Sequence, residues 1–382
     1  MRTSKKVVAV LLAMIMVFSF AACGGGASES EEAAAPPATT EAGKSSADID
    51  GINKGAYRYG DVENVELRGV DPASIGTTSV TPVDATDRKL RIGFSQMEVN
   101  NNWRIVNNDS IETEAAARGV ELIYRDAQSS IEKQNRDIIE ILNEGVDYLI
   151  IAPYEYEGLQ SALAEAKKRG VPVILSDREA AGTPGEDFVT AILGDFVDTG
   201  YKAGQALRNA FGDETINVVE ITGTAGSSVA RDLSKGFAEF AKEDGNMNII
   251  ASADGNFGRA ESLKAMENIV QSYGGEFNAV FGHVDDAAIA SIQALKAAGM
   301  TPGQDPTKGN IVVVSMCGYK DAFDAILAGD QYATVECTAR FGPVLFDIID
   351  KLQAGEALKN RLVMPCKIYD PTNAEALYNE AQ

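Results

Sequence analysis

Histidine, tryptophan and cysteine are scarce in this 382-residue chain, which holds one, one and four of them. One histidine, His283, leaves almost no material for a histidine-dependent triad or a multi-histidine metal site. Beyond Cys23 the cysteines are Cys317, Cys337 and Cys366, an odd number, so no disulfide framework supports the fold and at most one pair can bridge. Positive charge is also short: 34 Lys and Arg face 56 Asp and Glu, for a net charge of −22. That balance repels nucleic acid and anionic lipid, which excludes a DNA-binding role. After the first residues no apolar stretch reaches the ~18 uncharged residues a membrane-spanning helix needs. Nucleophile elbows and P-loops are missing as well. The turn Gly223-Thr-Ala-Gly-Ser-Ser228 lacks the Gly-Lys-Ser/Thr ending, and reads as a strand-to-helix turn whose hydroxyls cap the helix. No catalytic residue, cofactor or metal is expected.

What is present begins with an export signal over residues 1–22. Arg2, Lys5 and Lys6 precede the apolar run Val7 to Phe20, too short to span a bilayer. Phe20-Ala21-Ala22-Cys23 resembles a lipobox, with Phe20 in place of the usual Leu, and implies lipidation of Cys23. Residues 23–50 then form a flexible tether, low in complexity and too poor in large apolar side chains to offset the entropy of ordering. Residues 51–88 read as a partly ordered arm.

From Lys89 onward, short apolar runs alternate with amphipathic stretches. Strands are predicted at Leu90–Phe94, Val120–Tyr124, Tyr148–Ala152 and Val173–Leu175, a spacing of 25 to 30 residues that matches βαβ units. A second series runs through Ile216–Ile221, Asn248–Ala251, Ala279–Phe281 and Ile311–Val314. Helices are predicted at Asp109–Arg118, Ile131–Glu144 and Leu159–Arg169, with Gly119, Gly145, Gly170 and Gly299 as helix stops. The fold class is therefore α/β, with two doubly wound parallel-sheet lobes.

Ligands of such sheets bind beyond the carboxyl ends of the strands, so the residues after each run are the candidates. Trp103, flanked by Asn101 and Arg104, offers an aromatic face to a sugar ring beside amide and guanidinium donors; it reads equally well as a lid packed on the core. Asp177-Arg178 follows a strand and pairs a hydroxyl acceptor with a bidentate donor, unless the two merely satisfy each other. Arg231 opens a helix and reads either as a further donor or as a surface charge. His283 stands at a strand tip, where pocket bonding and satisfied packing are equally open.

At these loops the chain resembles the ribose-type periplasmic sugar-binding proteins of ABC transporters, and among them the galactofuranose-binding kind. Gly93-Phe-Ser-Gln96, Trp103-Arg104, Ile150-Ile-Ala-Pro153, Leu175-Ser-Asp-Arg178, Ser228-Val-Ala-Arg231 and Asn256-Phe-Gly-Arg259 carry the likeness in order and spacing. The resemblance implies two lobes, residues 89–194 with 338–365 and residues 195–337 with 366–382, joined by a three-segment hinge near Gly194, Cys337 and Pro365. It implies Asn101, Trp103, Arg104, Asp177, Arg178, Arg231 and Phe257 as ligand residues. It also exposes two departures: Val284 stands where the family has a ligand-binding asparagine, and Cys317 where it has an aspartate. Either the ligand lacks polar groups there, or His283, Asp285 and Glu336 supply substitutes. The expected activity is capture of a sugar-like small molecule by a monomeric lipoprotein on the outer face of the cell membrane or in the periplasm. The expected partner is the membrane permease of an ABC importer. A chemotaxis or kinase partner for the same fold would make it a sensory receptor instead.

Overall fold

The computed structural model describes residues 52–381. The expectations for the signal peptide, Cys23 and the tether lie outside those residues. The arm comes first: helix α1 (Tyr59–Val62) buries Tyr59 and Val62, and strand β1 (Thr77–Thr78) follows. Arg58 anchors the arm through two bonds to Asp347 at 2.8 and 2.5 Å. The backbone N–H of Arg68 donates to Asp195 at 2.6 Å, and Tyr57 Oη donates to Glu336 at 2.8 Å.

The first lobe runs β2 (Arg91–Gln96), α2 (Asn102–Ala117), β3 (Glu121–Asp126), α3 (Ile131–Glu144), β4 (Tyr148–Ile151), α4 (Gln160–Arg169), β5 (Val173–Asp177) and β6 (Thr190–Gly194). The second runs α5 (Phe196–Phe211), β7 (Ile216–Thr222), α6 (Ser228–Asp244), β8 (Met247–Asp254), α7 (Arg259–Tyr273), β9 (Ala279–Gly282), α8 (Asp285–Ala297), β10 (Val312–Cys317), α9 (Lys320–Ala328) and β11 (Ala333–Glu336). The chain then returns through α10 (Gly342–Gln353), β12 (Leu358–Lys359) and β13 (Arg361–Met364) before β14 (Ile368–Tyr369).

Two six-stranded sheets result, ordered β13-β6-β5-β4-β2-β3 and β14-β11-β10-β9-β7-β8. Every pairing in them is parallel except β11 with β14. The central strands β4, β5, β9 and β10 are buried along their length because helices cover both faces, hence their unbroken apolar character. The chain passes between the sheets three times: after β6, after β11 and after β13. This is the type I periplasmic-binding-protein fold, two doubly wound lobes on a three-segment hinge.

Local chemistry explains the boundaries. Gly119, Gly145, Gly170 and Gly299 all have positive φ, 67° to 78°, and end helices as left-handed glycines do. Helix α2 starts at Asn102, well before the predicted Asp109, because the Asn101 side chain accepts from the Arg104 N–H and caps it. Ser227 caps α6 in the same way, accepting from the Ala230 N–H at 3.1 Å, so the Gly223–Ser228 turn is the capping turn predicted. Strands β6, β11 and β13 had no counterpart in the predicted series. Each adjoins a crossing between lobes and stands outside the βαβ rhythm on which the prediction relied.

Candidate functional site

A cleft open on one side to solvent lies between the strand tips of the two lobes, with a cavity volume of about 50 Å³. That is below the ~300–1,000 Å³ range of small-molecule sites, so a sugar-sized guest needs the lobes to part. The first lobe contributes Asn101, Trp103, Arg104, Asp177 and Arg178. The second contributes Val229, Phe257, Val284, Met316, Cys317 and Tyr319, with Phe196 and Cys337 entering from the crossings. One wall is charged and amide-bearing. The other is apolar, save for one phenol and a thiol.

On the polar wall, Arg104 Nη2 donates to Asp177 Oδ2 at 2.5 Å, with both side chains no more than 5 % exposed. Arg178 Nη1 donates to the Tyr154 carbonyl at 3.1 Å, and its Nε stands 3.8 Å from Asp177 Oδ2. Burial pushes the Arg178 guanidinium down to about 10, the neighbouring Arg104 adding to the shift and Asp177 opposing it. Two guanidiniums thus share one carboxylate at the site. Arg104 Nη1 and Arg178 Nε are buried and find no hydrogen-bond partner among the described residues. Tyr319 Oη, on the opposite wall, is in the same position. Burial holds the Tyr319 phenol protonated, well above its ordinary value. Unpaired buried polar atoms are rare enough to need a reason. Here three of them belong to residues that line one cavity.

Of the two aromatics, Trp103 sits with this charge, the Arg104 guanidinium 4.5 Å from its ring centre, and Phe257 belongs to the other lobe. Trp103 is 6 % exposed; its Nε1 donates to the Cys337 carbonyl at 2.8 Å and its ring meets Phe341 edge-on at 5.8 Å. It is both a core residue and a cavity wall, so neither sequence reading excluded the other. The Phe257 ring lies against the Cα of Gly223, where an added Cβ would come within 1.9 Å of the ring. Only glycine leaves that space. Asp177, Phe257 and Cys317 hold positive φ, at 68°, 55° and 132°. Such strain in non-glycine residues costs ~1–3 kcal/mol each and concentrates where side chains must be aimed.

Four expected residues lie elsewhere. Arg231 turns away, with 55 % of its side chain exposed, and pairs with Asp232 through bonds of 2.7 and 2.9 Å. It borders a neighbouring groove that shares Asp177 and Phe196 with the cavity. His283 is fully buried behind the wall. The Gly223 N–H donates to its Nδ1 at 3.2 Å, which leaves the proton on Nε2 to donate to Glu220 at 2.8 Å. Asp285 is also fully buried. It accepts from Ser315 and Thr334 hydroxyls at 2.5 and 2.6 Å and from the Gly318 and Tyr319 N–H groups at 2.8 and 2.6 Å. Burial pushes its carboxyl up to about 7 against the pull of these four donors. Glu336 binds Tyr57 instead of facing the cavity. His283, Asp285 and Glu336 therefore do not replace what Val284 and Cys317 lack. They are already satisfied within the lobe.

The Glu220–His283 pair yields a pH test. Burial raises the Glu220 carboxyl, but the bond from His283, with bonds from Ser234 and Ser252, outweighs it and leaves the value lowered. A depressed carboxyl contributes stability above its unfolded value, and that stability is lost as pH falls through the folded one. Glu220→Gln should therefore unfold at lower temperature near neutrality and lose less on acidification. Thermal midpoints at about pH 6 and about pH 3 check this. A variant whose midpoint falls as steeply with acid as the wild type's would contradict it.

The family model for the periplasmic binding protein domain matches residues 92–337. The galactofuranose-binding protein of Escherichia coli (strain K12) is 33 % identical over 289 residues, 75 % of this chain and 89 % of that protein. The chain belongs to the periplasmic binding protein family. Among solved members, the arabinose-transporter binding protein of Shewanella sp. ANA-3, bound to α- and β-L-arabinofuranose, is 32 % identical with a TM-score of 0.72. The match covers 76 % of this periplasmic binding protein and 95 % of that one. A Mycobacterium smegmatis protein in complex with β-D-fucofuranose is 33 % identical, TM-score 0.70, over 75 % and 93 % of the two chains. Sequence reasoning missed Phe196, Val229 and Tyr319 as wall residues of this binding protein. Phe196 follows the unrecognised β6. Tyr319 stands two residues past the tip that was read, and only the Asp285 bonds fold it inward.

Proposed function

We propose that this protein captures an uncharged furanose sugar, or a close mimic, between its lobes. It then hands the solute to the membrane permease of an ABC importer while held on the outer face of the membrane by lipid on Cys23. The observation that carries this reading is the set of three buried polar atoms without hydrogen-bond partners, Arg104 Nη1, Arg178 Nε and Tyr319 Oη, on residues that line one two-lobed cavity. Ring hydroxyls accept from the guanidiniums and donate to Asp177, while Trp103 and Phe257 cover the C–H faces of the ring. Contact with both lobes favours the closed state, and the solute leaves unchanged. The furanose form is supported by relatives named for or solved with galactofuranose, arabinofuranose and fucofuranose.

The second wall narrows the choice. A hydroxyl set against Val284 or Cys317 loses its bonds to water without replacement, at a cost of ~1–3 kcal/mol. A sugar that presents a methyl or bare C–H there avoids that cost. Thermal shift and calorimetry with L-arabinose, D-galactose and its 6-deoxy counterpart D-fucose test this. A sugar at ~100 times its dissociation constant adds about 2.7 kcal/mol of stability. D-Fucose should bind ~10-fold or more tightly than D-galactose. Tighter binding of D-galactose would sink the apolar-wall argument, and no shift with any furanose-forming sugar would sink the reading itself. Capture of membrane partners from the native cell separates a permease from a signalling partner.

A further inference from the structure

Two of the three cysteines in the described residues share the cavity wall. Cys317 ends β10 and Cys337 is the first residue past β11, on a parallel neighbouring strand whose register pairs Cys317 with Glu336. The Cys337 N–H donates to the Cys317 carbonyl at 3.1 Å, and the two thiols are hydrogen-bonded to each other. A strand spacing of ~4.8 Å combined with a one-residue rise of ~3.3 Å puts their Cα atoms ~5.8 Å apart, inside the ~4.4–6.8 Å that a disulfide spans. Both thiols are reduced here. Cys317 is 2 % exposed, whereas Cys337 is half-buried on the cavity wall. Cys366 is held apart, its Sγ accepting from Lys202 Nζ at 3.2 Å and donating to Asp198 at 3.6 Å.

We propose that Cys317 and Cys337 form a reversible disulfide on the wall of the cavity, a redox lock on the second crossing between the lobes. Chemically it is thiol–disulfide exchange with a protein or small-molecule disulfide. The more accessible Cys337 sulfur, as thiolate, attacks one sulfur of the oxidant, breaking its S–S bond and releasing a first thiol. The Cys317 sulfur then displaces the second thiol from the mixed disulfide. One disulfide is exchanged for another, and both protons leave on the released thiols.

The bridge pins the start of the second crossing to the tip of β10. Trp103 of the other lobe docks on that same residue, through its bond to the Cys337 carbonyl. Oxidation therefore restrains the hinge at the point where the first lobe meets it. If the cavity is the solute site proposed above, the same bridge also reshapes the wall opposite Asp177.

The test needs no solute, so it stands apart from the sugar reading. The full chain is equilibrated with oxidised glutathione or with dithiothreitol, alkylated, digested and analysed by mass. Oxidation should yield a Cys317–Cys337 cross-linked peptide, a chain about 2 Da lighter, and loss of alkylation at both residues while Cys366 stays alkylatable. Cys317→Ser should trap glutathione on Cys337, which shows that the attacking sulfur is reachable even without the bridge. The thermal midpoint of the wild type should rise on oxidation and return on reduction. A Cys337–Cys366 bridge, or two thiols that remain alkylatable in oxidised buffer, overturns the proposal. A bridge that leaves the midpoint unmoved overturns the lock.

Discussion

Asp177→Ala should abolish measurable solute binding and destabilise the first lobe. The Asp177 carboxylate is the counter-charge beside two nearly water-free guanidiniums, 2.5 Å from Arg104 and 3.8 Å from Arg178. Removing one partner of a buried pair costs ~3–5 kcal/mol, because the remaining charge is left without compensation. The solute loses an acceptor for its hydroxyls as well, and Arg104 loses the bond that aims it. Together these should weaken binding at least ~100-fold, since ~1.4 kcal/mol is a factor of ten. Calorimetry with the best-binding furanose and a thermal unfolding curve read the two effects separately. Asp177→Asn keeps the shape and one acceptor, and should unfold near the wild-type midpoint while still binding poorly. An Asp177→Ala protein that binds as tightly as the wild type would remove the polar wall from the site.

Asp285→Ala should damage the opposite wall without touching the solute. Its carboxylate gathers four donors from three segments: the β10 hydroxyl of Ser315, the β11 hydroxyl of Thr334, and the N–H groups of Gly318 and Tyr319. Alanine takes this acceptor from all four, and only the Gly318 N–H keeps another, Thr334 Oγ1 at 3.3 Å, at ~1–3 kcal/mol for each group left unmet where water cannot reach. These costs overlap, so a loss of about 4 kcal/mol or more in unfolding free energy is expected, large for one substitution. The loop that carries Cys317 and Tyr319 then loses its anchor, and solute affinity falls with it. Asp285→Asn should recover most of both, because one oxygen still accepts from the two N–H groups while the amide faces hydroxyls able to accept. Denaturant unfolding and calorimetry on the pair of variants check this. If asparagine bound no better than alanine, the charge itself, and not the loop geometry, would be what the solute senses.

Much of the first wall was legible because it follows simple rules. Asn101 is a helix cap, Trp103 and Arg104 fill the first turn behind it, and Asp177-Arg178 leaves a strand. Each stands where a parallel strand hands the chain to the next element, and that position is visible in the apolar rhythm. The second wall was less legible. His283, Val284 and Asp285 are consecutive, yet only Val284 lines the cavity. His283 turns back to Glu220 and Asp285 toward the β10 and β11 tips. Their directions depend on partners 30 to 63 residues away. No local pattern reports such partners.

The amino-acid order alone determined the lobed α/β architecture, the turns and helix stops, and the level at which the solute site lies, because strand and helix periods and capping are local. Tertiary structure decided which polar atoms remain open to a guest. It enclosed His283 and Asp285, left Arg231 outside, turned Tyr319 inward and set two cysteines side by side. Those outcomes depend on contacts between distant segments, and burial, which sets whether a charge is paired or waiting, exists only once the chain has packed.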